Sequence, residues 1–261
     1  MILDKLRIKH KIGALSEKLS INVYKKIGST NTQAKLHAAY GRCGNSVFIA
    51  SEQTAGRGRL GRSFVSNKNK GLYLSILLNE KLPPELATSL TTYMAVIASR
   101  AIHSLSGAEP KIKWVNDLYL GGKKCAGILT EARASESGNA LDYAVVGIGI
   151  NLFSQDFPEE VKDIATTLED ECGRKVKRCD LAALIVKEFF DNLHLVGARE
   201  IAEEYKSRSF LIGERVTVIK PTVEYAATVK DITDKCELLL TLDGGKEELL
   251  STGEVSLRLA K

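Results

Sequence analysis

Nowhere does this 261-residue chain run apolar for the roughly 20 residues that a membrane-crossing helix needs. The longest such stretch, Tyr143 to Phe153, is interrupted by Gly147 and Gly149 and reads as a buried strand, so no membrane partner is expected. The N-terminal segment Met1 to Ser20 mixes lysine and arginine with Asp4 and Glu17 and lacks the apolar core of a signal peptide. Cytoplasm is therefore the expected compartment. Cysteines are few and scattered: Cys43, Cys125, Cys172, Cys179 and Cys236 include no C-x-x-C pair. That argues against a zinc site, and an odd number without a spacing pattern suits unpaired, non-catalytic thiols in a reducing compartment. A Walker A sequence is missing, as are the H-R-D and D-F-G elements of a kinase. His10, His37, His103 and His194 stand outside every motif described below, so none is expected to be catalytic. There is no internal repeat and no low-complexity tract.

What remains is ordinary globular composition, 44% hydrophobic and 26% charged, in a chain long enough for one large domain and a small satellite. The formal net charge of +5 suits an anionic ligand such as a nucleotide. It is too small to argue for DNA by itself.

The periodicity predicts strands at Ser46–Ala50, Leu72–Leu78 and Ala144–Leu152, with a short extended piece at Ile112–Val115. Leu90, Met94, Ile97, Ala101, Ile102 and Leu105 predict a helix with one buried face. Leu118–Leu120 and Cys125–Thr130, separated by Gly121-Gly122, predict a β-hairpin, because a Gly-Gly pair adopts positive φ at little cost. Asp180 is the expected cap of a helix carrying Leu181, Leu184, Ile185, Phe189 and Leu193. Beyond Leu211 the pattern changes to closely spaced short strands, Val216–Ile219, Ala226–Ile232, Leu238–Leu242, Glu248–Ser251 and Val255–Leu259. These predict a small β-barrel. The expected domains are residues 1–209 and 210–261.

Chemistry concentrates in four segments. In Ser51 to Arg62, SEQTAGRGRLGR, the glycines Gly56, Gly58 and Gly61 alternate with Arg57, Arg59 and Arg62. Glycines let backbone N–H groups converge on an anion, and arginine adds fork-shaped donors for phosphate or carboxylate. The segment fits G-x-G-x-x-G literally, but a dinucleotide site needs a helix to start at the glycines. The following Arg62-Ser63-Phe64-Val65-Ser66 has no apolar helical face. Lys113 to Glu131, KWVNDLYLGGKKCAGILTE, brings Lys113, Asn116, Asp117 and Lys124 to one hairpin, and Gly127 leaves room for a ligand against the strand. Gly28-Ser29-Thr30-Asn31 is a polar cluster before a helix. Gly147-Ile148-Gly149-Ile150-Asn151 is a strand with two side-chain-free positions. Taken singly, these would be a basic loop, a charged hairpin, a helix cap and a core strand.

Taken together, they resemble the biotin–protein ligases. Gly-Ser-Thr-Asn, Gln-x-Ala-Gly-Arg-Gly-Arg, Lys-Trp-x-Asn-Asp and Lys-x-Ala-Gly-Ile-Leu occur in family order between about Ile27 and Leu152, and the C-terminal barrel is similar to the family's last domain. Val115 stands where the family often has proline, and Phe64 where it has an aromatic, often tryptophan. The resemblance implies an α+β fold: a mixed β-sheet with helices packed on it, plus a small Src-homology-3-like C-terminal barrel. It implies ATP and biotin as substrates, Mg2+ accompanying the ATP, a biotinyl-adenylate intermediate and a biotin carboxyl carrier protein as acceptor. It further implies catalytic roles for Lys124, Arg59 and Asp117. Biotin would be bound by Ser29, Thr30, Asn31, Gln53, Gly56, Arg57, Gly58, Arg59, Lys124 and Gly127. The nucleotide would be bound by Arg57, Arg59, Arg62, Phe64, Asn116, Lys124 and Asn151, with no protein ligand assigned to a metal.

A lipoate–protein ligase shares the adenylate logic, but lipoate has no ureido group to match Ser29, Thr30 and Gln53. A DNA-binding repressor is the rival from another class. Only Met1 to Ile27 precede the first motif here, which is short for a helix-turn-helix domain. A non-enzymatic adaptor built on the barrel is disfavoured by the Gly, Arg and Lys upstream. The oligomeric state stays open, a homodimer included. In the glycine loop, Thr54 to Asn67, like charges repel without an anion and few side chains form core, so the loop is expected to be mobile until biotin or its adenylate binds. Trypsin should then cut after Arg57, Arg59 or Arg62 in the free protein and far more slowly with biotin. Cleavage indifferent to biotin would show that this loop is not the lid.

Overall fold

The computed structural model describes residues 3–41, 44–220, 223–251 and, as backbone, 256–259. Cys43 and Val255 lie outside the described residues. In the first two-thirds of the chain the strands are β1 (Ser20–Tyr24), β2 (Ser46–Ala50), β3 (Gly71–Leu78), β4 (Lys111–Lys113), β5 (Asp117–Leu120), β6 (Lys123–Ala134) and β7 (Leu141–Asn151). They form one mixed sheet in the order β1-β2-β3-β7-β6-β5-β4. The β1–β2 pair is parallel and the remaining pairs are antiparallel. The helices are α1 (Lys5–Ile12), α2 (Leu15–Lys18), α3 (Thr30–Ala39), α4 (Leu86–Ser106), α5 (Leu168–Cys172), α6 (Arg178–Asp191) and α7 (Arg199–Arg208).

Strand alternation divides the sheet into two different faces. On β3, Leu72, Leu74, Ile76 and Leu78 enter the main core with the buried face of α4, and Ala144, Val146, Ile148 and Ile150 of β7 do the same. Successive side chains point to opposite faces, so Tyr73, Ser75, Gly147 and Gly149 lie on the other side. There α3 packs through Ala34 against Phe48, Leu77 and Val145. The second face is only partly covered, and it carries the site. The helix predicted over Leu90–Leu105 is α4, which runs one turn further at its start. It ends at Gly107, whose φ of 75° closes the last turn with an N–H bond to the His103 carbonyl.

A second sheet is antiparallel, in the order β11-β10-β9-β8-β12, built from β8 (Arg215–Ile219), β9 (Glu224–Ile232), β10 (Leu238–Leu242), β11 (Glu247–Leu250) and β12 (Ser256–Leu259). Its hydrophobic residues join the core of the first part, so Ile112, Trp114, Val216, Val229 and Leu238 belong to one continuous cluster. One buried hydrogen bond crosses the junction, and a second, within the first part, anchors the segment beside it. Trp114 Nε1 donates to the Cys236 carbonyl at 2.8 Å, and the Tyr205 hydroxyl donates to the Val115 carbonyl at 3.0 Å.

One predicted cap is corrected. The helix expected to be capped by Asp180 starts at Arg178 with Lys177 before it. Asp180 sits inside the first turn, where a carboxylate suits the positive helix end, and pairs with Arg7 at 3.3 Å and Lys11 at 3.5 Å on α1. Leu193 has left the helix and lies in the short turn Leu193–Leu195. The described cysteines form no disulfide, and burial pushes the Cys125 and Cys236 thiols up. Among the described residues no helix is long and apolar enough to cross a membrane.

Replacing Tyr205 by Phe should strand the Val115 carbonyl in the core and lower stability by about 1–3 kcal/mol. Trp114 is the single tryptophan, so its fluorescence follows urea unfolding at this junction. An unchanged midpoint would show that the bond contributes nothing.

Candidate active site

Pairing register creates the cavity. Gly127 of β6 lies opposite Gly149 of β7, which lies opposite Tyr73 of β3, while Asp117 of β5 lies opposite Gly127. The adjacent row is Ser75, Gly147 and Leu129. The strands therefore project no side chain from three positions in the middle of the open face, and a trough runs across them. It is the floor of a cavity of about 610 Å³, within the range of small-molecule sites. Neighbouring groups use the space the glycines leave. A Cβ on Gly127 would stand 3.1 Å from Lys124 Cε, one on Gly149 would stand 2.5 Å from the Phe64 ring, and one on Gly147 would stand 2.0 Å from Asn31 Oδ1.

At one end, Ser29 caps α3 by accepting from the Thr32 N–H. Thr30, Asn31 and Gln53 join it around buried Ser75. The Thr30 N–H donates to Gln53 Oε1 at 2.8 Å, and Ser75 Oγ stands 2.7 Å from Thr30 Oγ1 and 2.6 Å from Asn31 Oδ1. Asn31 Nδ2 donates to the Leu129 carbonyl and to Glu131. Burial acts to raise the Glu131 carboxyl, but hydrogen bonds from Lys35 and Asn31 and the charges of Lys35 and Arg57 hold it below its ordinary value.

At the other end stand the charges. Lys124 Nζ pairs with Asp117 at 2.7 Å, and Arg59 Nη1 donates to Asn116 Oδ1 at 3.2 Å. Asn116 in turn donates to the Ile128 carbonyl at 2.8 Å. Burial weakens the hold of Arg59 on its proton, and the Asp117 charge opposes that effect. Arg59 Nη2 is buried with no partner among the described residues. A buried guanidinium with a spare donor, beside an ammonium, is an anion site in search of its anion. Burial pushes the Tyr119 phenol up to about 12, so this cavity-lining residue stays neutral.

The glycine loop is a small hairpin over this floor. Gly58 N–H donates to the Arg62 carbonyl at 2.7 Å and Phe64 N–H to the Gly56 carbonyl at 3.0 Å, with no helix starting at the glycines. Two features depart from the sequence reading. The arginines have protein partners, since Arg57 lies 3.5 Å from Glu131 and Arg59 is held by Asn116, so their repulsion is offset without a ligand. Phe64 is also a packing residue: its ring lies on the trough and meets Tyr73 edge-on at 6.5 Å.

Ser29, Thr30, Asn31, Gln53, Arg57, Gly58, Arg59, Arg62, Phe64, Asn116, Asp117, Lys124 and Gly127 all line this one cavity. Two named residues do not. Gly56 faces a separate shallow depression behind the loop, in contact with the Phe64 carbonyl and Ser66. Asn151 is on the site face but at the far end of β7, where Thr166 covers it and accepts its Nδ2 hydrogen bond at 3.1 Å. Sequence reasoning missed Ser75 and Glu131. The signal for Ser75 was its place as the one polar residue in the apolar run LYLSILL. Glu131 gave no comparable signal. Among the described residues no group of three or more His, Cys, Asp or Glu side chains is arranged to hold a metal.

Residues 23–151 match the model of the biotin/lipoate A/B protein ligase family, and residues 211–258 match that of the biotin protein ligase C-terminal domain. The biotin–[acetyl-CoA-carboxylase] ligase of Mycobacterium tuberculosis is 33% identical over 254 residues, 94% of this chain and 91% of that protein. The chain belongs to the biotin protein ligase family. The bifunctional ligase/repressor BirA of Bacillus subtilis is 32% identical over 211 residues, 79% of this chain, and the chain spans 64% of that relative's length. The biotin protein ligase of Aquifex aeolicus, solved in complex with biotin and ATP, superposes with a TM-score of 0.78 at 28% identity, covering 92% of this chain and 99% of that one. The two parts of this biotin protein ligase family member thus correspond to the two sheets seen here.

In this family member Gly147→Ala should force the Asn31 amide off Ser75 and Glu131. Overpacking of this kind costs about 1–3 kcal/mol. A lowered melting temperature together with weakened ligand binding is expected. Unaltered values for both would show that Asn31 yields its place freely.

Proposed function

We propose that this chain is an ATP-dependent biotin protein ligase that forms biotinyl-5′-adenylate and then transfers biotin to a lysine of a biotin carboxyl carrier protein. The observation that carries the reading is the trough itself. It is a channel floored by glycines and roofed by the Phe64 ring, with a neutral polar cluster at one end and buried Arg59, with its spare Nη2, beside Lys124 at the other. Biotin has the same layout: a ureido ring, an apolar valeryl chain and a carboxylate.

In the first step a biotin carboxylate oxygen attacks the α-phosphorus of ATP, the α–β bridging bond breaks and pyrophosphate leaves. This brings an anion against a polyanion, and in a half-buried cavity the repulsion is poorly screened. Lys124 and Arg59 offset it and stabilise charge on the phosphoryl oxygens. Asp117 holds Lys124 in place before the substrates arrive. Arg62, on the loop, reaches the phosphates from above, and Arg57 joins it on leaving Glu131, from which it lies 3.5 Å. Magnesium enters with ATP as part of the substrate, bound by its phosphates. In the second step the acceptor lysine, as free amine, attacks the acyl carbon of the mixed anhydride. AMP leaves, and the amine loses a proton to complete the amide. The valeryl chain lies along Gly127 and Gly149, with the Phe64 ring turned to cover it. Residues 1–209 form the biotin- and ATP-binding domain and residues 210–261 the small C-terminal domain. The parallel between the site and the relatives' names supports acetyl-CoA carboxylase or a related biotin carboxylase as the source of the acceptor.

Exchange of labelled pyrophosphate into ATP should depend on biotin and ignore lipoate. Exchange with lipoate alone would overturn the assignment. Lys124→Ala should slow adenylate formation about 10²–10³-fold in a single turnover, as expected for lost charge stabilisation in the transition state. An undiminished rate would remove Lys124 from the catalytic set.

A further inference from the structure

Among the described residues, the largest side chain that is fully buried is a charged one, and the chemistry above makes no use of it. Arg178, the first residue of α6, is 1% exposed. Taking a guanidinium out of water is costly unless it holds something. It holds Asn69, to whose Oδ1 its Nη2 donates at 3.0 Å. Asn69 lies in the turn between the glycine loop and β3, two residues past the loop's end at Asn67. Its φ is 62°, in the left-handed region that asparagine tolerates better than most residues. Its N–H donates at 2.8 Å to the Ser51 carbonyl, at the exit of β2.

The two feet of the glycine loop are fastened differently. Upstream the bonds run from backbone to backbone: Thr54 and Ala55 N–H donate to the Ile27 and Gly28 carbonyls at 2.9 and 2.8 Å. Downstream, side chains do much of the holding. The Tyr73 hydroxyl donates to the Asn67 carbonyl at 3.0 Å, Asn67 Nδ2 donates to Gln155 Oε1 at 3.0 Å, and Arg178 holds Asn69. Arg178 is itself fixed from behind, because the next two residues of α6 engage α1. The Asp4 N–H lies 3.4 Å from Cys179 Sγ, and Asp180 pairs with Arg7 and Lys11. We propose that Arg178 is a positioning residue: through Asn69 it pins the downstream foot of the glycine loop, and thereby sets where Arg59, Arg62 and Phe64 lie over the trough. Arg178 does not line the cavity, so its effect passes through the loop. The inference rests on the ligase reading only for what the loop covers, the bound adenylate.

Asn69 is exposed, so replacing it leaves the core intact. Asn69→Gly keeps the left-handed backbone accessible and removes the acceptor, whereas Asn69→Asp returns an acceptor that carries charge. In free Asn69→Gly, trypsin should cut after Arg57, Arg59 or Arg62 about 10-fold faster than in the parent, the size of one lost charge-assisted hydrogen bond. Preformed, labelled biotinyl-adenylate should leave Asn69→Gly faster by about the same factor. Asn69→Asp should restore both rates to within about 3-fold of the parent. The urea midpoint followed through Trp114 should be the same in all three. Arg178→Met should behave as Asn69→Gly does, and combining the two should add nothing further. The Asn69 variants carry the test if Arg178→Met does not fold. Parent-like cleavage and release in Asn69→Gly would overturn the pin, as would an Asn69→Asp no better than Asn69→Gly. So would an Arg178→Met whose cleavage spreads over the chain without favouring the loop, the mark of a purely structural arginine. Cleavage is read on the free protein. A parent that forms no adenylate therefore overturns the ligase reading, while the pin is still judged by trypsin.

Discussion

The site depends on strand register. Gly127, Gly149 and Tyr73 fall in one row and Leu129, Gly147 and Ser75 in the next because β6, β7 and β3 pair as they do. A slip of one residue would turn Ile148 and Ile128 onto the open face and fill the trough with two branched side chains. The register is held from the opposite side. Ile148, Ile150, Ala126 and Ile128 lie in the main core with the buried face of α4, so the burial that stabilises the fold also keeps the strands' own branched side chains out of the trough. Core and site are the two sides of one alternation.

The electrostatics follow the same economy. A single carboxylate, Asp117, lines the cavity beside Lys124, Arg59, Arg57 and Arg62, so the site is net positive without an anion. Each cation has a reason to remain in position. Lys124 passes over Gly127, where no Cβ blocks it, to reach Asp117, and Arg59 is steered by an Asn116 side chain that is itself tied to the Ile128 carbonyl. Groups fixed before the ligand arrives need little reorganisation as charge develops.

Much of this was legible in the sequence, for physical reasons that differ from element to element. The second-sheet strands were visible because turn residues separate short alternating runs, and β9, β10 and β11 fall within two residues of their predicted bounds. The hairpin at Gly121-Gly122 was visible because both residues need positive φ, at 54° and 77°. Lys124, Arg59 and Asp117 were visible through local motifs. Asn151 falls outside the cavity because the segment around Thr166 covers it, and that segment leaves no periodic trace in the sequence. Ser75 and Glu131 were missed because their importance lies in contacts more than forty residues away in sequence, to Thr30 and Asn31. Phe64 was assigned to the nucleotide, yet its packing on Gly149 is a property of two segments brought together by folding.

A floor made of absent side chains has a one-sided tolerance. Glycine is already the smallest residue, so positions 127, 147 and 149 can make the trough narrower but never wider. The strands therefore set a ceiling on the girth of any acid this scaffold accepts. Adjustment below that ceiling is left to what lies over the floor, chiefly Phe64 and the loop that carries it. Divergence of substrate size among chains of this architecture should accordingly be written in the loop between Thr54 and Asn67, while the strands beneath it stay nearly silent.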